Sequence, residues 1–240
     1  MAVAVNNTDN VKSEDFSGVQ SLAGVSFGSA ASDRIIGVWI YNVDLGSTGA
    51  FVSSVTIGGV TANKVDAASQ TDGSGTELGF WWALVPSGTS GTIEVSFAPD
   101  ALVNSILVNV FRVTGADTAT PVASTATDDT LGTPSGGTNS QDITIPVNGA
   151  LVAGVCARNT LSAPTFVGWV NAMSDGSNSG FINSNAIALK IETASEASAG
   201  TPTVSAVWGG ATGVMFLGLV ALQEVQPQPE TRLLTKQLRY

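Results

Sequence analysis

Histidine is absent from this 240-residue chain, and its absence removes more chemistry than any residue present suggests. Ser-His-Asp and Cys-His nucleophilic sites, and every metal site that needs an imidazole, are excluded. Cysteine occurs once, as Cys156, so no internal disulfide forms. It lies in Ala150-Leu-Val-Ala-Gly-Val-Cys-Ala157, a run of small apolar residues where a core position is expected. Charge is scarce too, at 12% of residues against 43% apolar, which excludes disorder of the highly charged kind. Neither a phosphate-binding loop ending in Gly-Lys-Ser/Thr nor a dinucleotide fingerprint is present, so nucleotide-driven function is excluded. The longest apolar run, Val214 to Leu222, is too short to span a bilayer, and the first residues lack the basic and apolar regions of a secretory signal. A soluble protein made in the cytoplasm, with no membrane partner, is expected.

The charge that remains is mostly negative. Nineteen Asp and Glu against nine Lys and Arg give −10, which repels nucleic-acid phosphate and argues against direct nucleic-acid contact. The sign reverses locally. Residues 226–240 carry +2, from Arg232, Lys236 and Arg239 against Glu230, leaving −12 for residues 1–225.

What is abundant is β-sheet pattern. Phe80-Trp-Trp-Ala-Leu-Val-Pro86, Thr92-Ile-Glu-Val-Ser-Phe97 and Ser105-Ile-Leu-Val-Asn-Val-Phe-Arg-Val-Thr-Gly115 read as successive strands. Asn185–Ile191, Thr203–Trp208 and Gly213–Leu222 repeat that order at an offset of roughly 110 residues. Earlier, Arg34-Ile-Ile-Gly-Val-Trp-Ile-Tyr-Asn-Val43 is apolar almost throughout, as suits a strand covered on both faces or at the centre of a sheet. Its counterpart is Leu151–Arg158, and Thr165–Val170 stands for Phe51–Ile57. Gly58-Gly59 between β-branched runs predicts a two-residue hairpin. Asp72–Gly75 and Asp175–Asn178 are expected to be equivalent loops.

An all-β antiparallel sandwich follows, a jelly roll built from two pseudo-repeated Greek-key halves. Each half shows about four or five strands, too few to bury a full face alone, so one domain is expected over residues 21–225, with halves at about 21–122 and 140–225 and a linker at 123–139. Residues 1–20 read as an arm or a loosely held first strand. In the tail, Gln226-Pro-Gln-Pro229 favours an extended path away from the sandwich. Beyond it, Arg232, Leu233, Leu234, Lys236, Leu238, Arg239 and Tyr240 combine cations with apolar side chains, a composition suited to docking on a partner subunit.

Candidate chemistry is sparse. Glu77 and Glu94 are the carboxylates nearest to a glycosidase pair, although solvated surface groups are the commoner reading of such residues. Asp72 with Glu77, Asp128 with Asp129, and Asp175 have the oxygen chemistry of a calcium site without its loop spacing, and Asx turns explain them as well. Of Trp39, Trp81, Trp82, Trp169 and Trp208, the adjacent Trp81 and Trp82 must point to opposite faces of one strand. One of the two is therefore expected at the surface, able to stack on a glycan or meet a partner. No catalytic, metal or cofactor site is assigned.

Asp33-Arg34-Ile35-Ile36, Val55-Thr-Ile-Gly-Gly-Val60, Phe80–Pro86, Gly91–Phe97 and Val110-Phe-Arg-Val-Thr-Gly-Ala-Asp-Thr-Ala-Thr-Pro-Val122 together resemble a recurrent module of tailed-bacteriophage and prophage virion proteins, over about residues 20–225. The resemblance implies a non-enzymatic jelly-roll protein of the particle exterior, such as a capsid decoration, head-fibre or collar component. It implies a homo-oligomer, a trimer by analogy, bound to the major capsid or another virion protein through its termini. It transfers no catalytic residue, and it leaves a carbohydrate-binding or adhesin module as the alternative.

Overall fold

The computed structural model describes residues 2–13, 18–43, 51–73, 75–98, 105–130, 137–158, 165–167, 172–182, 185–195, 200–208 and 214–225, with the backbone alone at 43, 105, 130, 137, 208 and from 157 to 195. These residues form strands joined by turns, with one 3-10 turn at Asp66–Ala68. The N-terminal half contains β1 (Ala4–Ser13), β2 (Val19–Ser26), β3 (Ile35–Val43), β4 (Phe51–Ile57), β5 (Val60–Thr61), β6 (Asn63–Lys64), β7 (Gln70–Thr71), β8 (Thr76–Leu84), β9 (Ser90–Ala98) and β10 (Ser105–Thr114). The C-terminal half contains β11 (Val122–Thr130), β12 (Gly137–Asp142), β13 (Ala150–Arg158), β14 (Thr165–Val167), β15 (Ala172–Ile182), β16 (Asn185–Ser195), β17 (Thr203–Trp208) and β18 (Met215–Leu222).

The repeat seen in the sequence is a repeat of topology. In the first half one sheet runs β1-β10-β3-β8, with β6 and β7 along the far side of β8, and a second runs β2-β9-β4-β5. In the second half the sheets run β11-β18-β13-β16-β15 and β12-β17-β14. All the pairs are antiparallel. Each half is thus a two-sheet sandwich in itself, and the expectation that neither buries a face alone is corrected. Ile36, Val38 and Ile40 of β3 meet Val55, Ile57, Ile93 and Val95 across the first sandwich. Leu151, Ala153 and Val155 of β13 meet Val204 and Ala206 across the second.

A third core joins the two sandwiches. Ile35, Trp39 and Tyr41 of β3, with Phe80 and Phe111, pack against Val152, Cys156, Phe216 and Val220. The molecule is therefore four layers deep, and its two inner sheets are covered on both sides. An antiparallel sheet with one wet face alternates apolar and polar residues; a doubly covered one does not. That explains why β3 and β18 are apolar nearly throughout, with every residue of β18 buried. Trp39, wholly buried, centres the junction. Its indole lies on Gly154 and Gly218, which are paired across β13 and β18. A Cβ at either glycine would come 2.6 or 2.5 Å from the ring.

Three boundaries differ from expectation. Of the two readings of residues 1–20, the first strand holds and the arm does not, since β1 pairs along β10 from Ala4↔Thr114 to Ser13↔Ile106. The stretch 123–139 is not a plain linker, since β11 and most of β12 fall within it. Asp175–Asn178 is not a loop, lying inside β15 in register with β16. The shared reason is that β1, β11 and β15 stand at sheet edges, where backbone pairing needs few apolar side chains. The edge strands β1, β2, β11 and β15 also carry register shifts, irregularities that blunt an edge against further strand addition.

Candidate functional site

The turns at one end of the first sandwich hold most of the motif residues. At Gly58 and Gly59, φ is 60° and 79°, the values that a tight hairpin between Ile57 and Val60 demands. Arg34 is wholly buried. Its Nε donates to the Val85 carbonyl at 2.6 Å, one terminal nitrogen to Phe27 and Gly28, and the other to Ser87 at 2.6 Å. Burial, followed by the nearby Arg112 guanidinium, lowers the pKa of Arg34. Asp33 accepts the Gly115 N–H at 2.7 Å, and Arg112 donates to the Ser29 carbonyl. The Asp-Arg signature is thus a clasp that draws three turns together.

The tryptophans do not form a platform. Trp81 and Trp82 do point to opposite faces, but both faces are covered. Trp81 is 4% exposed in the core of the first sandwich, and Trp82 is half-buried against the central core. The expectation of a surface tryptophan is corrected for Trp81, because the strand sits in an inner layer. Trp169 and the side chain of Trp208 lie outside the described residues, as do Arg232, Leu233, Leu234, Lys236, Leu238, Arg239 and Tyr240.

The carboxylates are likewise dispersed. Glu77 is buried and accepts from the Val52 N–H at 2.8 Å and the Lys64 ammonium at 2.9 Å, whereas Glu94 is exposed on β9 beside Thr56. With both oxygens of Glu77 engaged and Glu94 on an outer sheet, the two do not flank a common substrate position. Asp72 accepts the Thr76 N–H at 3.0 Å and Asp128 the Ser140 N–H at 2.7 Å, which are turn and corner contacts; Asp129 is exposed. The Asp175 side chain lies outside the described residues. Among the described residues, no three His, Cys, Asp or Glu side chains cluster as metal ligands would. Cys156 is buried in the central core, and desolvation pushes its thiol well above the ordinary range, as a packing residue requires.

Two features escape a reading of residue types. One is a corner cap present in both halves: the Asp9 carboxylate accepts the Ser26 N–H at 2.8 Å, as Asp128 does that of Ser140. Each joins the first strand of its half to the second, across the two sheets. The available signal was an acidic residue in the first strand of both repeats. The other is a cleft of about 330 Å³ beside the β6 and β7 side of β8, lined by Phe51, Lys64, Asp66, Gln70, Thr71 and Glu77. The Lys64 ammonium stands 5.5 Å from the centroid of the Trp81 ring. No sequence pattern marks this cleft, since its residues come from β4, β6, β7, β8 and the 3-10 turn.

No family model, curated protein or solved structure matches the chain.

Proposed function

We propose that this protein is a non-enzymatic structural component of a tailed-bacteriophage particle, a capsid decoration or other head-associated accessory on the particle exterior. In this reading it assembles as a homo-oligomer, with three copies the favoured number, and grips the capsid or another virion protein through its termini. The strand orders β1-β10-β3-β8 and β2-β9-β4-β5 support a jelly-roll winding, used once in each half. The resemblance of the Asp33-Arg34, Gly58-Gly59 and Phe111-Arg112 motifs to virion modules supports the particle.

The observation that carries attachment through the termini is that both ends of the described chain meet at one pole of the stack. The Val3 N–H donates to the Asn148 carbonyl at 2.8 Å, and the Asn148 amide donates to Glu224 at 3.0 Å. Two large apolar side chains, Val147 and Val225, are exposed next in the chain to Asn148 and Glu224. An exposed apolar pair at two chain ends suits a contact with other protein.

The test is the native mass of the purified protein together with its sedimentation with particles. The expected results are a trimer mass, co-sedimentation with capsids, and loss of attachment on removing residues 227–240 or on Val147→Asp. A monomer that stays in the supernatant would end the proposal.

A further inference from the structure

Attachment to a particle gives the cleft beside β8 nothing to do, yet its construction is costly. Glu77, 3% exposed, pairs with Lys64, whose side chain is 27% exposed. Taking the carboxylate out of water costs several kcal/mol in order of magnitude, and an apolar side chain of similar volume would hold the strand as well. Beside it, the carboxamide oxygen of Gln70 is buried with no hydrogen-bond partner among the described residues. An acceptor left in that state costs about 1–3 kcal/mol. Phe51 adds a half-buried ring and Asp66 an exposed carboxylate.

Donors and acceptors around one aromatic face complement a pyranose, which has an apolar ring face and a rim of hydroxyls that both donate and accept. We propose that this cleft binds a neutral sugar of one or two pyranose units. The sugar ring lies on Phe51, and its hydroxyls accept from Lys64 and the Thr71 hydroxyl and donate to Asp66. The volume of about 330 Å³ suits a ligand of that size. Charge selects the class, since Asp66 and Glu77 against Lys64 leave one net negative charge and disfavour carboxylated sugars. Trp81 does not stack on the ligand; its ring lies near the Lys64 ammonium and helps to hold it in place. The site stands independently of the particle reading and survives its failure.

Saturation-transfer NMR on the intact chain tests the site, with a panel of neutral mono- and disaccharides and sialic acid as the charged control. Transfer to at least one neutral pyranose and none to sialic acid is expected. Asp66→Ala removes an exposed acceptor of the cleft, so it is expected to weaken binding at least tenfold while the melting temperature holds. Phe51→Ala is expected to weaken binding to a similar extent. The site is overturned if no sugar receives transfer, if sialic acid binds as well as neutral sugars, or if binding persists undiminished in both variants.

Discussion

The two halves share a strand order but not a surface, and the difference shows how a duplicated fold becomes one molecule. Trp39 and its neighbour Asn109 on β10 occupy the places that Gly154 and Gly218 occupy in the second half. The first half presents a knob where the second presents a notch. Two identical halves would set indole against indole, or leave a void between facing glycines. The corner caps, by contrast, are the same in both, with Asp9 and Asp128 each holding a serine N–H. Contacts that close a sandwich were kept in both copies, whereas contacts between the sandwiches differ.

The strongest way to break this comparison is at the knob. Trp39→Ala is expected to cost about 3–5 kcal/mol, the range for truncating a large buried aromatic. Gly154→Val, which forces a side chain into the indole, is expected to cost about 1–3 kcal/mol or more. Chemical denaturation of the two variants and their double mutant checks the pairing: the double mutant should lose less than the sum of the singles, since the valine then enters space the indole has left.

The next largest effect separates the halves by their turns. Arg34 fastens the first half, and Gly149 stands at the corresponding place in the second, where a Cβ would come 2.6 Å from the Leu222 carbonyl. Arg34→Met strands several carbonyls and is expected to cost about 2–4 kcal/mol, on the scale of about 1–3 kcal/mol per buried unsatisfied group. Arg34→Lys should recover little of this, because one ammonium does not reach carbonyls placed for a planar fork. Thermal melts rank the three proteins.

Smaller and equal effects are expected at the caps. Asp9→Ala and Asp128→Ala should each cost about 1.5–3 kcal/mol, the value of a hydrogen bond to a charged acceptor. A large inequality between them would show that the shared geometry is not shared energetically.

The smallest effect is one of pH, at the connector between the halves. The Asp117 carboxylate accepts from the Ala119 and Thr120 N–H groups, which hold its pKa below the ordinary value. The folded pKa is depressed, so its contribution is present above the unfolded aspartate pKa of about 3.9 and is lost as pH falls through the lower folded value. The protection of the Ala119 and Thr120 amides, taken relative to their intrinsic exchange rates, should fall as pH drops below about 4, and Asp117→Asn should flatten that dependence.

Much of this architecture was legible in residue order. The continuous apolar run of β3 signalled cover on both faces, Gly58-Gly59 placed a hairpin, and the echo of Phe80–Gly115 exposed the duplication. Polar edge strands stayed hidden because β1 and β11 contribute backbone more than apolar area. Period-two reasoning put Trp81 and Trp82 on opposite faces correctly, but it assumed that one face meets water, and alternation along a strand says nothing about how many layers lie above it. The cleft was invisible for a different reason. Lys64 and Glu77 become partners only when β6 lies along β8, which no local pattern encodes.

Native-state hydrogen exchange on the intact chain tests the four-layer stack most directly. The amides of β3, β10, β13 and β18 are expected to exchange together and only through global unfolding, more slowly than those of β9 and β17 in the outer sheets. Exchange of β3 and β18 at the outer-strand rate, or release of one half before the other, would contradict it.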